Sequence, residues 1–400
     1  MNKPLEGTKI IDLTHMLAGP HAGMVLADLG AEVIKVEPLY SGEMTRSLLA
    51  NDPKFSFKKF GSYFLTLNRN KKSVAIDLKN EEGLKVFYDL VKETDVVINN
   101  FSAGVMKKLK IDYEHLSKIN KKIITCSITG FGESGPSSNR PAYDNIIQAY
   151  SGGMSITGKD VRSPVRAGIP IADLSGGLYG VIGILSSLIS RDKTQQGQHI
   201  DISLLDVQIS LLTYMITMHT LSGLDPEPIG NAHFVHVPFN SFTTEDGFIV
   251  IAVITNEFWQ SLLNVVQIDE LRDTKFNDSV DRLENQKFIE DLLNKKLETN
   301  SSSYWLNKLN KARVPCGPIN SFSKAILDEQ VLHRNMIVEV NHPDGGKVKM
   351  PGNPIKMSVT NEDSFSPPPH LGQHTNETLV AWCNYSQSDI KGLIKKKVIA

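Results

Sequence analysis

Lys9-Ile10-Ile11-Asp12-Leu13, Thr14-His15-Met16-Leu17-Ala18-Gly19-Pro20, His21 to Leu29 with Gly30 behind it, and Glu32-Val33-Ile34-Lys35-Val36 decide the fold. The first five residues form a short, nearly continuous apolar run, as a strand covered on both faces requires. His21 to Leu29 carries apolar residues at helical spacing and stops at a glycine. Glu32 to Val36 reads as a second strand. Strand, helix and strand in so short a span make a βαβ unit, with parallel strands and a right-handed crossover.

The alternation continues downstream. Ser73-Val74-Ala75-Ile76-Asp77 reads as a strand and Glu81 to Lys92 as a helix. Asp95 to Asn100 is a strand, a short helix lies near Gly104 to Leu109, and Lys122 to Ser127 is a fifth strand. The expectation is an α/β fold with a Rossmann-like, mostly parallel sheet. Ligands of such sheets lie beyond the carboxyl ends of the strands, so the loops starting at Thr14, Asn100 and Thr129 are the expected site.

Gly130 to Gly168 is rich in Gly, Ser, Pro and Asn and reads as a loop-heavy region that helps form the site. Helices are expected at Leu174 to Ser190 and Leu205 to Leu221, with a strand at Gln198 to Ser203 between them. Turn-forming residues gather at Gly223-Leu224-Asp225-Pro226-Glu227-Pro228. We therefore expect a large domain over 1–222, completed by 331–400, and a small α+β domain over 223–330. The tail Lys391 to Ala400 carries four lysines and reads as a solvated helix end.

Composition narrows the function. The 400 residues carry 43 Lys+Arg against 44 Asp+Glu, a net charge of −1, which excludes a broadly cationic surface for nucleic acid. With 40% hydrophobic and 22% charged residues the chain is globular rather than disordered. The three cysteines are scattered and form no CxxC, which argues against a disulfide framework or a structural zinc site. The longest apolar stretch, Leu178 to Ile189, falls short of the ~20 residues of a membrane span and reads as a buried helix. The opening residues lack the apolar core of a signal peptide, so a soluble, cytoplasmic protein is expected.

No GxGxxG follows the first strand, no GxxxxGK[ST] occurs, and Gly132-Glu133-Ser134-Gly135 misses GxSxG. His233 and His236 are a close histidine pair, and without a neighbouring carboxylate they read as loop or pocket-wall residues, with no metal expected. Gly168-Ile169-Pro170-Ile171-Ala172-Asp173-Leu174-Ser175-Gly176-Gly177 most invites a chemical reading. Asp173 at a helix entrance can cap the helix. It can also stay ionised there and attack an acyl carbon. Gly176, Gly177, Gly180 and Gly183 would let a ligand or another backbone approach closely. The two roles of Asp173 are compatible.

Thr14 to Pro20, Asp28-Leu29-Gly30-Ala31-Glu32-Val33-Ile34-Lys35-Val36-Glu37-Pro38, Gly42 to Arg46, Asn68 to Ser73, Asn100-Phe101, Thr129-Gly130-Phe131-Gly132, Ala142-Tyr143-Asp144, Ala172-Asp173-Leu174, Val314 to Ile319 and Leu371 to Thr375 together resemble the family III CoA-transferases. The resemblance implies transfer of CoA from an acyl-CoA to a free carboxylic acid through an aspartyl intermediate on Asp173. Coenzyme A and acyl-CoA then act as substrates, no cofactor is tightly bound, and the partner is a second copy in an interlocked homodimer. It further implies CoA contacts from Leu17 and Ala18, from Ile76 and Lys79 near the adenine-ribose end, from Asn100 and Phe101, from Lys108 on the diphosphate, and from Arg140 and Tyr143. Leu17 and Pro38 depart from the formyl-CoA enzymes, which carry Gln and Arg there. The stretch Gly230 to Asn240 looks instead like the acetyl-CoA:oxalate and succinyl-CoA:dicarboxylate members, which implies a short dicarboxylic acid. Two alternatives stay open: an α-methylacyl-CoA racemase of the same fold, and a non-catalytic CoA-binding protein. The racemase relatives have a His where this chain has Tyr143, a poor base near neutral pH.

Overall fold

The βαβ unit forms as β1 (Lys9–Asp12), α1 (Ala18–Asp28) and β2 (Glu32–Glu37). In the computed structural model, which describes residues 3–360 and 364–400, these strands pair in parallel, with Lys9 opposite Glu32. The chain adds β3 (Lys71–Ala75), α2 (Glu81–Lys92), β4 (Val96–Asn99), α3 (Val105–Lys108), β5 (Ile124–Thr129), α4 (Asp144–Tyr150), α5 (Ile171–Thr194) and β6 (His199–Ser203). All six strands are parallel, in the order β3-β2-β1-β4-β5-β6. The winding reverses between β1 and β4, and the crevice beyond their carboxyl ends is the natural ligand site of this topology.

Each face of the sheet has its own core. Ile11, Ile34, Val74 and Val97 point to one side with Phe87 and Leu90 of α2. Ile10, Val33, Val96 and Cys126 point to the other with Leu26 of α1 and Val181 and Ile184 of α5. This period-2 division is what a strand covered on both faces produces.

Several expectations are corrected. The third strand begins at Lys71, earlier than Ser73, because the buried Lys71 ammonium pairs with Asp12 at 2.9 Å and can sit inside the sheet. The single helix expected over 205–221 is two, α6 (Leu204–Leu211) and α7 (Tyr214–Ser222), bent by 71°. Thr213 between them has φ +45°, outside the helical region. The tail is not wholly solvated: Val398 and Ile399 are buried, and Ile399 bridges Ile76.

Helix α5 also differs from its reading. Its glycines admit protein, not ligand: a Cβ on Gly177 would lie 2.5 Å from the Ala18 carbonyl oxygen, and one on Gly176 2.1 Å from Leu204 Cδ2. Gly180 and Gly183 face Ile128 of β5 and Ile200 of β6, where a Cβ would meet the side chain at 3.0 Å. The helix is buried on that face only, and Leu178, Ile182 and Ile189 on the other face are exposed. At 24 residues it is long and apolar enough to cross a membrane, a test that the core helices of soluble proteins also pass.

The chain divides into two compact units. One comprises Met1–Gly153, Arg166–Gly223 and Glu329–Ala400, and holds the six-stranded sheet. The other comprises Met154–Val165 and Leu224–Asp328, so it includes a segment from within the 1–222 stretch. Its antiparallel sheet joins Phe239–Thr244, Gly247–Ala252 and Cys316–Pro318, and its core gathers around Trp259, Phe276 and Trp305.

Candidate active site

The β1–α1 loop is held at both ends by buried charge. Asp12 Oδ1 accepts hydrogen bonds from the Thr14 N–H (2.8 Å) and the Thr14 hydroxyl (2.5 Å). Lys35 Nζ donates to the Thr14 carbonyl (2.5 Å) and lies 3.7 Å from Asp12, while Lys71 Nζ donates to Asp12 Oδ2 and the Pro20 carbonyl, both at 2.9 Å. Between these anchors Met16 takes φ +66°, a left-handed conformation that a non-glycine residue adopts only when its surroundings impose it. Asn100 supplies part of that constraint. Its Oδ1 accepts from the His15 N–H (2.9 Å) and its Nδ2 donates to the His15 carbonyl (2.6 Å). The Phe101 ring packs 4.9 Å from the His15 ring.

Two cavities open in the crevice. One, of about 330 Å³, is lined by Leu17, Ala18, Asn100, Phe101, Arg140, Tyr143 and Asp173. The other, of about 720 Å³, is lined by Pro38, Tyr40, Ile76, Leu78 and Lys79. His15, Met44, Phe101 and Val105 line both, so the two lie side by side. Lys108 sits exposed on α3 and lines neither. Arg140 lies over the Phe131 ring (5.1 Å) and the Tyr150 ring (5.2 Å), which keeps its charge at the cavity wall. Tyr143 stands largely exposed just before α4.

Asp173 is not the cap of its helix. Pro170 holds the N-cap position, and Asp173 is the third helical residue. The cap comes from α4, where Asp144 Oδ1 accepts from the main-chain N–H groups of Ala172 (2.8 Å) and Asp173 (3.2 Å). Gln148 Nε2 donates to Asp144 Oδ2 (2.6 Å), and Gln148 Oε1 accepts from the Ala167 N–H (2.9 Å). Among the described residues the Asp173 carboxylate accepts no hydrogen bond. The spacing of Asp144 and Gln148 allows their mutual bond on one helix face. Nothing local in the sequence says that Asp144 reaches a turn 28 residues away.

Burial first, and then the charge of Asp144, push the Asp173 carboxyl up to about 6. At neutral pH about nine-tenths of it is still a carboxylate. If it must be ionised to react, activity falls as pH drops through about 6. Asp144→Asn removes the like charge while keeping an acceptor oxygen for the cap. The falling limb of kcat/KM then moves to lower pH, and an unmoved limb would show that Asp144 does not tune Asp173.

His233 and His236 stack at 4.8 Å, and His233 Nδ1 accepts the main-chain N–H groups of Val235 (3.1 Å) and His236 (3.2 Å). Among the described residues no group of three or more His, Cys, Asp or Glu side chains could hold a metal ion.

Comparison with known proteins bears on nearly the whole chain. The model of a family described as CoA-transferase family III matches residues 5–375. The human protein named succinyl-CoA:glutarate CoA-transferase is 37% identical over 398 residues, covering 99% of this chain and 90% of that protein. The acetyl-CoA:oxalate CoA-transferase of Acetobacter aceti is 37% identical over 357 residues, covering 89% of each chain. The crystal structure of a CAIB/BAIF family protein from Brucella suis superposes with a TM-score of 0.85 at 36% identity, covering 96% of this chain and all of that one.

Proposed function

The chain belongs to CoA-transferase family III and is an acyl-CoA:carboxylate CoA-transferase, and we propose that it moves CoA between short dicarboxylic acids through a covalent bond to Asp173. The carboxylate of Asp173 attacks the thioester carbonyl and expels CoA thiolate, leaving a mixed anhydride. The thiolate attacks the aspartyl carbonyl, forming an aspartyl-CoA thioester and releasing the donor acid. The acceptor carboxylate then attacks that thioester to give a second mixed anhydride and CoA thiolate. The thiolate takes the new acyl group, and Asp173 is regenerated as a carboxylate. Every step exchanges one activated acyl bond for another, so the thioester's energy is kept.

The observation that carries this reading is the carboxylate of Asp173, without a hydrogen-bonding partner among the described residues, in a cavity that shares wall residues with a larger one. A thioester at Asp173 leaves the rest of a long CoA molecule to run along the crevice. Leu17, Ala18, Asn100, Phe101 and Tyr143 then flank the thioester end, and Ile76 and Lys79 the adenine-ribose end. Lys108 reaches the diphosphate from outside the cavities, as a flexible point charge can. Arg140 offers a cation for a second carboxylate of the acid, in keeping with relatives named for glutarate and oxalate. The experiment is an exchange assay pairing acyl-CoA donors with mono- and dicarboxylic acids. Transfer to a dicarboxylate supports the proposal. Deuterium entering the α-carbon of the acyl group without exchange would favour the racemase, and binding without either reaction would favour a CoA-binding protein.

The proposal includes an interlocked homodimer acting in the cytoplasm. Helix α7 has no buried residue, yet it carries Tyr214, Met218 and Leu221. Leu178, Ile182 and Ile189 of α5 are exposed as well, and a second copy would cover these apolar side chains. Light scattering at micromolar concentration is expected to give twice the 44.3 kDa chain mass, and a monomer would contradict the dimer.

A further inference from the structure

We infer that the Thr129 hydroxyl donates a hydrogen bond to the acyl oxygen as the thioester is attacked, an assignment that rests on Asp173 being the nucleophile. Thr129 is the last residue of β5, and it lines the cavity of about 330 Å³ together with Asp173. Its neighbour Ile128 is fixed against the start of α5. Ile128 shares a core with Ala172, and a Cβ on Gly176 would lie 3.8 Å from Ile128 Cγ2. Thr129 itself pairs with Ser203 of β6. A sheet strand, not a loop, therefore holds this residue at the cavity wall. Thr129 is 8% exposed, and its hydroxyl oxygen is buried with no hydrogen-bonding partner among the described residues. The other hydroxyls of the wall differ. Ser102 and Tyr143 are exposed, and Ser138 Oγ donates to the Gly135 carbonyl (3.1 Å).

A buried hydroxyl without a partner costs the fold the hydration it has lost. Such a group calls for an explanation, and its place in the wall beside a nucleophile supplies one. The acyl oxygen of the thioester is the atom that gains charge there. As an Asp173 oxygen bonds to the acyl carbon, the C=O electron pair moves onto the acyl oxygen. The pair returns when CoA thiolate leaves. Thr129 donates to that oxygen and keeps its own proton throughout. The O–H turns about its Cβ–Oγ bond, so the donor can follow an oxygen inside the cavity. A bond that is stronger to the charged oxygen than to the neutral carbonyl lowers the barrier without tightening substrate binding.

The test pairs Thr129→Val, which removes the hydroxyl at nearly constant shape, with Thr129→Ser, which keeps it. Exchange kinetics, CoA binding and urea unfolding are measured on the whole protein. Thr129→Val is expected to lower kcat by about 10²- to 10³-fold, the usual cost of one oxyanion donor, with CoA affinity unchanged. Its urea midpoint is no lower than that of the native chain, because the hydroxyl it loses was unpaired. Thr129→Ser keeps most of the rate. A hydroxyl with a merely structural role would instead lower the midpoint and leave kcat alone. That result, an unchanged kcat at any stability, or a loss confined to CoA affinity would overturn the assignment. The two readings fail separately. If acyl-CoA labels Asp173 of the native chain while Thr129→Val is fully active, only the Thr129 assignment falls. If the native chain exchanges CoA with Asp173 unlabelled, the nucleophile is wrong and the assignment falls with it.

Discussion

Asp173→Ala and Asp173→Asn lose CoA transfer by on the order of 10⁴-fold or more, while both variants stay folded and still bind CoA. The size follows from the role. Removing a group that binds or orients leaves the route in place, whereas removing the nucleophile removes the covalent route itself. Folding survives because the side chain carries no structural duty: the helix cap belongs to Asp144, and only the Asp173 main chain is engaged by it. The assay is initial-rate exchange with a saturating acyl-CoA, together with circular dichroism and CoA binding. Near-native exchange in either variant would end the aspartyl mechanism.

The second large effect falls on stability. Asp12→Ala is expected to destabilise the protein by about 3–5 kcal/mol in urea unfolding, because it strips the shared carboxylate from two fully buried ammonium groups, Lys35 and Lys71. That is a large part of the roughly 5–15 kcal/mol that holds a protein folded. The loss is pH-dependent with a definite sign. Burial raises the Asp12 carboxyl, but Lys35 and Lys71 outweigh it and hold it at about 2. A carboxyl held below its unfolded value, near 4, lends stability that is complete above that value and drains away as pH falls towards 2. The gap between native chain and variant should therefore be constant above about pH 4 and narrow below it. The same substitution removes the acceptor that holds the Thr14 N–H and hydroxyl at the start of the β1–α1 loop, so exchange falls as well. A variant as stable as the native chain would show that this buried pairing contributes nothing net.

Some of this was legible in the residues and some was not, for physical reasons. The β1–α1–β2 unit was readable because apolar runs and helical spacing are local signals. The loops after β1 and β4 were readable because parallel topology fixes which strand ends face ligand. Lys71 inside a strand was not, since its partner Asp12 lies 59 residues away. The break at Thr213 was not, because the apolar spacing continues across it. The α5 glycines suggested close approach, but the approaching group is the Ala18 carbonyl and the sheet side chains. Asp144 was visible as part of a motif but not as the cap of another helix.

The central claim is a transient bond to one carboxyl group. It is tested most directly by mixing the protein with an active acyl-CoA donor, quenching with hydroxylamine or borohydride, and weighing the peptide that carries Asp173. The mechanism predicts a hydroxamate or a reduced side chain on Asp173, dependent on acyl-CoA and absent without it. Full exchange activity with that peptide unmodified would contradict it.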